Sequence, residues 1–259
     1  MAKVISISHS DANLPPLFLQ SSSRFSLTDV AATSALSFNP SAWDPYLIAP
    51  NPTQEFIDSF NSAANCYVYA LADRDMVLEN LTYRINPGAI AGSDLQPERR
   101  QRAAFRRHHS ADNIKQLAQA DGLELTGDQI VIRRDWRPIA FFVCAGFDFH
   151  WVRMDNDATY SHKLPYKLPE KLVFEDSGKP VRDLRQIKIE TTYKWYGKKT
   201  YSFAAFFNVP PRLEISIDAI ERTAQNIERI SPQQGIQWRR HLKRLNLPNS
   251  GRILIPQIA

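Results

Sequence analysis

Cysteine and glycine are scarce in this chain of 259 residues, which holds two cysteines and nine glycines. Two thiols, Cys66 and Cys144, are too few for a disulfide scaffold or a zinc site built from several thiolates. The chain also lacks a glycine-rich phosphate loop, a Cys-x-x-Cys knuckle and a His-Glu-x-x-His helix, although His108 and His109 are adjacent. We therefore expect no cofactor and no metal, and a role for single cysteines only.

Long apolar runs are missing as well. No stretch approaches the roughly 18 consecutive apolar residues that a membrane span requires. The first six residues lack the charged and then apolar run of a signal peptide. These absences predict a chain without a membrane span that is cytoplasmic as synthesised, and they leave export by a dedicated secretion system open.

The positive charge is unevenly distributed. Lys and Arg total 32 against 27 for Asp and Glu, a net charge of +5. Residues 1–50 hold ten Ser and five Pro but two basic and three acidic residues, so this arm carries −1 and the remainder +6. Such a composition predicts an N-terminal arm that is poorly ordered or draped over the domain. An ordinary tail is the favoured interpretation of this arm, and a secretion or targeting arm is the alternative.

The rest of the chain divides into a central domain over 51–210 and a helical extension over 211–259. Helical spacing begins near Phe56, a basic helical insert covers about 94–122, and Pro210 ends the sheet. Strands are expected at Ile130–Arg133, Ile139–Val143, Phe149–Met154, Thr159–Lys163, Lys171–Glu175 and Thr200–Asn208. Helices are expected at Asp218–Arg229 and from Ser231 onward. Helices first, sheet second and helices last indicate the α+β class.

Cys66 has the surroundings of a reactive thiol. Asn65 is a plausible N-cap of a short helix, so the thiol would lie in the first turn. The unpaired N–H groups and the positive end of the helix dipole stabilise a thiolate there. Cys144, at the end of an apolar strand, is expected to pack in the interior, which is also the common role of an arbitrary cysteine.

Two histidines lie on neighbouring predicted strands. His150 opens one strand and His162 follows twelve residues later on the return strand. If the hairpin is symmetric about Asn156, with a three- or five-residue loop, the two imidazoles lie directly opposite each other with Cβ atoms about 5 Å apart. A two-residue loop would send them to opposite faces. The alternative is a structural cysteine with two coincidental histidines.

The order of Cys66, His150 and a polar residue twelve positions later resembles the NlpC-like cysteine peptidases of the papain-like fold. The resemblance covers roughly residues 52–208 and rests on order and spacing. It implies a papain-like core in which a nucleophile helix packs on an antiparallel sheet. It further implies that Cys66 is the nucleophile, that His150 is the general base and later the acid, and that His162 orients His150.

His150 lies 84 positions after Cys66, so the resemblance requires an insertion, which is the basic segment. We expect that segment to border the cleft. The candidate residues at the cleft are Asn65, Tyr67, Arg99 and Arg100, and a solvent-exposed helix face is the simpler interpretation of the two arginines.

The remaining site candidates have supporting roles. The backbone N–H of Cys66 would form part of an oxyanion hole, with Gln54 or Asn61 as the second donor. Asp148 and Asp155 flank His150 and compete with His162 as the orienting residue.

These observations predict a thiol hydrolase that cleaves an amide bond through an acyl-enzyme. The resemblance implies a peptidoglycan stem-peptide endopeptidase or amidase. With the same chemistry, a translocated effector would act as a protease, deamidase or acyltransferase on a host protein, with an immunity protein or a chaperone as a further partner. A non-catalytic nucleic-acid-binding module that uses the arginine clusters is a less favoured hypothesis.

Overall fold

A computed structural model describes residues 7–9, 20–21, 38–49, 51–71, 86–91, 102–133, 136–164, 167–174, 177–193, 195–211, 213–216, 225, 228 and 252–255. Its helices begin at short polar side chains. The Thr53 hydroxyl accepts from the N–H of Phe56, and the Ser110 hydroxyl accepts from that of Asn113. The helices are α1 (Pro45–Ile48), α2 (Gln54–Ala63), α3 (Cys66–Leu71), α4 (Arg102–His108) and α5 (Ala111–Ala120), with 3-10 turns at Pro40–Trp43 and Leu184–Gln186.

The strands range in length from two to thirteen residues. They are β1 (Ile7–His9), β2 (Gln20–Ser21), β3 (Glu124–Gly127), β4 (Val131–Ile132), β5 (Arg137–Cys144), β6 (Asp148–Met154), β7 (Tyr160–His162), β8 (Glu170–Lys171), β9 (Ile187–Tyr193), β10 (Gly197–Val209), β11 (Leu213–Ser216) and β12 (Arg252–Ile255). The order in the main sheet is β1-β9-β10-β5-β6-β7-β8, with β3 beside β10. All its pairs are antiparallel.

Successive side chains of the central strands point to opposite faces of the sheet, and they form one hydrophobic cluster on each face. Phe141 and Trp151 point to the first cluster, which contains α3 and buried residues of α2 and α5. Phe142 and Val152 point to the second cluster, on the other side of the sheet. The architecture is therefore α+β, with helices against one face of an antiparallel sheet.

Both ends of the chain contribute strands. Part of the predicted arm pairs with the main sheet, because β1 lies antiparallel to β9. Trp43 is buried in the first cluster, 5.2 Å edge-on from the ring of Tyr69. The predicted helical extension contains two strands, β11 and β12, which pair with each other.

Positions 225 and 228 of the first predicted C-terminal helix are helical. The rest of that helix and the one expected from Ser231 lie outside the described residues. Among the described residues, no helix has the length and apolar character that crossing a membrane requires.

Several strand predictions need correction. The strand expected at Ile130–Arg133 is reduced to β4, and the one expected from Lys171 is reduced to β8. The sequence predicts no strand between positions 175 and 200, where the structure has β9; its Ile187 and Ile189 are buried and alternate with more exposed residues. β10 ends at Val209, where the sequence predicts the end of the sheet.

Candidate functional site

Cys66 is the first residue of α3, as the sequence predicts, and its side chain is 3% exposed. The Asn65 side chain is the cap, since its Oδ1 accepts from the N–H of Tyr67 at 2.8 Å and of Val68 at 3.0 Å. The cap thus occupies two donors of the first turn and not the N–H of Cys66 itself. Cys66 belongs to the first hydrophobic cluster.

The β6–β7 hairpin has a different register from the predicted one. Val152 lies opposite His162 and Met154 opposite Tyr160, so the hairpin is centred on Asp157 and not on Asn156. The turn itself explains the shift. The N–H of Asp155 donates to the carbonyl of Thr159 at 2.9 Å, and Asp157 Oδ1 accepts from the Thr159 hydroxyl at 2.6 Å. Because the shift is two residues, it leaves both histidines on one face.

The two histidines meet diagonally. Nε2 of His150 lies 2.7 Å from Nδ1 of His162, and the rings are perpendicular. Both side chains are buried. Burial lowers the pKa of His150 to about 3, and burial, followed by the charges of His150 and Lys167, holds the pKa of His162 well below its usual range. Both imidazoles are therefore neutral at neutral pH.

Glu170 extends this pair and is not among the site residues predicted from the sequence. It lies directly opposite His162 in the β7–β8 pairing, with Oε1 3.5 Å from Nε2 of His162. The sequence signal is weak, because β8 has two residues and follows a long polar connection.

Asp148 does not orient His150, although it begins the same strand. Its Oδ2 accepts from the hydroxyls of Tyr193 and Tyr201, each at 3.2 Å, and the two hydroxyls lie 2.5 Å apart. Burial first, and then the charge of Asp148, raise the pKa values of both tyrosines. The negative charge of a Cys66 thiolate contributes further to the raised pKa of Tyr193.

Asp155 also has other partners. Its buried carboxylate accepts from Arg153 at 3.0 Å, from the Ser161 hydroxyl at 2.9 Å and from Lys171 at 3.0 Å. These contacts stabilise the turn of the hairpin. Of the three residues proposed to orient His150, His162 is the one that bonds to it.

Cys66 and His150 lie on adjacent elements, and no described hydrogen bond joins them. Helix α3 packs against β6 through Tyr67, whose ring lies 5.1 Å from that of Trp151. His150 points to the other side of β6, where it bonds to His162 and its ring lies 6.1 Å from that of Tyr201. The structure therefore brings the histidines together and places the thiol at the start of the helix that covers their strand.

The other predicted site residues have mainly structural contacts. Asn65 and Tyr67 are buried, and the Tyr67 hydroxyl donates to Asp121 at 2.7 Å. Gln54 is exposed, and its amide donates to Asp58 at 2.9 Å on the surface of α2. Asn61 is half-buried near the end of α2, and its role in an oxyanion hole stays a prediction. Arg99 and Arg100 lie outside the described residues.

The second cysteine and the second histidine pair lie elsewhere. Cys144 is half-buried beside the second cluster, and burial raises the pKa of its thiol. His109 stacks on Phe105, with ring centres 4.1 Å apart. Within the described ranges, no group of three or more His, Cys, Asp or Glu side chains is arranged to hold a metal ion.

Comparison of the chain with protein-family models, with curated proteins and with solved structures found no match.

Proposed function

We propose that the protein is a cysteine hydrolase that cleaves an amide bond, with Cys66 as nucleophile, His150 as general base and His162 as the residue that orients His150. The observation that carries the proposal is the 2.7 Å contact between Nε2 of His150 and Nδ1 of His162. Two buried imidazoles in this arrangement leave one nitrogen of His150, Nδ1, for proton transfer. The pair is neutral and can therefore accept a proton, and for efficient transfer from the thiol the proposal requires the pKa of His150 to rise from about 3 toward the working pH when substrate binds.

The hydrogen bond determines which nitrogens carry protons. For Nδ1 of His150 to accept a proton, Nε2 must carry one, and it then donates to Nδ1 of His162. Burial keeps His150 neutral, because its pKa is lowered to about 3. Cys66 and His150 lie on opposite sides of β6 in the resting structure, so the proposal requires the thiol to reach the neutral base before the proton moves.

The reaction then proceeds in two halves. The Cys66 proton passes to Nδ1 of His150 while Sγ bonds to the carbonyl carbon and the π electrons move to the oxygen. As the oxyanion collapses, the C–N bond breaks and the same proton goes to the departing amine, which leaves a thioester. A water molecule then gives a proton to His150, its hydroxide attacks the thioester, and the C–S bond breaks. The proton returns to the thiolate.

This mechanism requires the thiol to approach Nδ1 of His150 around the beginning of β6. Asp148, Tyr193 and Tyr201 form a cluster there. This cluster interacts both with Cys66, on one side of β6, and with His150, on the other side. The charge of a Cys66 thiolate raises the pKa of Tyr193, and the ring of Tyr201 lies edge-on to that of His150 with ring centres 6.1 Å apart. Binding of substrate in this region would expel water and strengthen these interactions.

The favoured substrate is a peptidoglycan stem peptide, because the NlpC-like resemblance implies it and the body of the chain is basic. An effector that acts as a protease, deamidase or acyltransferase on a host protein uses the same steps on another acyl group. A nucleic-acid-binding module is the non-catalytic alternative. Of its basic residues, Arg106 and Arg107 are exposed on α4.

Alkylation kinetics test the activated thiol. Wild type and the Cys66→Ala, Cys144→Ala and His150→Gln variants are treated with iodoacetamide from pH 5 to pH 9, and the labelled cysteine is identified by mass spectrometry. We expect Cys66 to react faster than Cys144 at pH 6, in a manner that depends on His150. Equal slow labelling of both thiols at pH 6 contradicts the proposal.

Incubation with purified peptidoglycan, and separately with a denatured protein mixture, then assigns the substrate. Release of muropeptides that depends on Cys66 supports the favoured substrate. Cleavage or deamidation of proteins alone supports the effector alternative. Fast Cys66 labelling together with tight oligonucleotide binding and no turnover would instead favour the binding module.

A further inference from the structure

We infer that Glu170 is the last member of a hydrogen-bonded relay, Glu170–His162–His150, in which it is a positioning residue that sets the tautomers of both histidines. The inference rests on the proposed function, since the relay prepares His150 to accept the thiol proton. It adds a residue that the resemblance does not supply.

The geometry of the β7–β8 pair places Glu170 against the outer nitrogen of His162. The two residues are directly opposite partners in an antiparallel pair, where side chains are close neighbours. Oε1 of Glu170 lies 3.5 Å from Nε2 of His162. This separation is at the outer limit of a hydrogen bond, so the two atoms need to approach by about 0.5 Å to form a bond of ordinary length.

Both atoms are shielded from water and lack another hydrogen-bond partner among the described residues. Nε2 of His162 and Oε1 of Glu170 are buried polar atoms without a bond inside the usual angular limits. The Glu170 side chain as a whole is 42% exposed, so its buried oxygen is the one turned toward His162. A buried polar atom without a partner is costly, and pairing these two atoms removes both costs.

The chain of bonds has one consistent direction. A carboxylate oxygen only accepts, so it selects the form of His162 that carries its proton on Nε2. That form leaves Nδ1 of His162 as an acceptor, which selects the form of His150 that carries its proton on Nε2. Nδ1 of His150 is then an acceptor, the state that the thiol requires. No proton leaves or reaches Glu170 during the reaction.

The competing neighbour of Glu170 is Lys167. Its Nζ lies 4.0 Å from the same Oε1, and the lysine is one third exposed. Its charge helps to keep His162 from being protonated. Lys167 thus restrains the carboxylate from the solvent side without taking the position of the imidazole, and the relay keeps a neutral His162.

Nitrogen NMR of the imidazoles tests the relay without any turnover. We would label the histidines of the full chain with ¹⁵N in a Cys66→Ala background and record the long-range ring spectra at pH 7. His162→Gln and His150→Gln spectra assign the two rings. We expect both rings to carry the proton on Nε2. A proton on Nδ1 of His162 in the parent spectrum overturns the inference.

Two variants of Glu170 distinguish the effect of its hydrogen-bond acceptor from the effect of its negative charge. Glu170→Ala removes the acceptor, so we expect the His162 signals to shift toward the other tautomer. Glu170→Gln keeps an oxygen acceptor and should preserve the parent pattern. Glu190→Ala is the matched control, because Glu190 pairs with Lys198 on β9 and should change neither ring. Unchanged His162 signals in Glu170→Ala, with the fold intact by circular dichroism, also overturn the inference.

The same variants with Cys66 restored connect the relay to the thiol. We expect Glu170→Ala to slow iodoacetamide labelling of Cys66 by less than the roughly 10²–10⁴-fold that a general base itself contributes, with Glu170→Gln nearer wild type. If the tautomers follow the prediction and Cys66 is inert in wild type, the relay stands and the hydrolase proposal fails. If Cys66 is reactive and the tautomers do not depend on Glu170, the relay fails and the hydrolase proposal stands.

Discussion

Nε2 of His150 bonds to Nδ1 of His162 although the two residues are not cross-strand partners, because Val152 lies opposite His162. The pair is a diagonal one, and its perpendicular rings allow the nitrogen of one imidazole to point at the edge of the other. Diagonal neighbours in a sheet are within reach of each other only when their side chains are long or aromatic. The contact therefore depends on both residues being histidine.

Replacement of His162 by Ala should remove the partner of a buried nitrogen. We expect the free energy of unfolding to fall by about 1–3 kcal/mol, the typical cost of a buried polar group without a partner. Cys66 labelling should also slow, since the His150 tautomer is no longer selected. Urea denaturation and iodoacetamide kinetics measure the two effects.

His109→Ala is the control for that substitution. His109 is a buried histidine that stacks on Phe105 and bonds to its carbonyl. Its removal should lower stability while the labelling rate of Cys66 is retained. Loss of Cys66 reactivity in His109→Ala, with normal reactivity in His162→Ala, would contradict the assignment of the histidine pair.

Stability should decrease as the pH falls below neutrality. Burial lowers the pKa of His150 to about 3 and that of His108 to about 4, from an ordinary value of 6.5. Between those values the unfolded chain binds protons that the folded protein does not. The free energy of unfolding should therefore fall with decreasing pH from about 6.5 toward 3, by up to about 1.4 kcal/mol per pH unit for each such histidine.

Urea denaturation at pH 7.5, 6, 5 and 4 checks this dependence. A double variant, His150→Gln with His162→Gln, should show a shallower slope across the same window, because it loses two of the groups that titrate only on unfolding. A wild-type stability that is constant between pH 7 and pH 4 would show that these histidines are protonated in the folded protein.

The sequence predicts the parts of the site that depend on local rules. Asn65 before an apolar run predicts the cap and the position of Cys66. The even spacing of His150 and His162 places them on one face for any odd-length loop. The predicted centre of the turn is one residue away from the observed one. The bonds of Asp155 and Asp157 to Thr159 determine the centre, and the alternation of apolar residues in the sequence does not reveal such bonds.

The remaining parts depend on contacts between distant segments. Glu170 reaches His162 through a two-residue strand after a polar connection, which produces no periodic signal. The direction of His150 relative to Cys66 depends on which face of β6 the helix α3 covers. Phe149 and Trp151 lie on that face. Because both faces of this central strand are apolar, the sequence does not show which of them the helix covers; the packing of both clusters decides it.

Asp121 should be a major contributor to stability near α3. Its buried carboxylate accepts from the Tyr67 hydroxyl and the Gly88 N–H, both at 2.7 Å, and from the Ala91 N–H at 2.8 Å. An amide in place of the carboxylate turns one acceptor oxygen into a donor facing donors. We expect Asp121→Asn to lower the free energy of unfolding by about 1–3 kcal/mol, measured by urea denaturation.

Asp112→Asn is the matched control. Asp112 is 91% exposed and pairs with Lys115 at 3.7 Å on the surface of α5. Surface substitutions of this kind usually change stability by less than about 0.5 kcal/mol. Equal effects of the two substitutions would mean that Asp121 does not hold α3 and the turn at 87–91 together.

Asn65 links the stability of α3 to the chemistry of Cys66. Asn65→Ala removes the acceptor of the Tyr67 and Val68 N–H groups, and loss of such a cap costs about 0.5–2 kcal/mol. Ser110→Ala, which removes the cap of α5, should cost a similar amount and leave Cys66 labelling unchanged.

Asn65→Asp distinguishes a structural from an electrostatic effect on the thiol. An aspartate keeps the cap and interacts favourably with the helix dipole, and it loses the amide that donates to Asn86 at 3.4 Å, so circular dichroism is needed to show that the variant folds. Its negative charge lies next to Cys66 and disfavours the thiolate, which raises the pKa of the thiol. We therefore expect slower labelling of Cys66 at pH 7 and recovery at higher pH, measured by the iodoacetamide pH profile. An unchanged profile in a folded Asn65→Asp variant would mean that the reactivity of Cys66 does not depend on the charge at the start of α3.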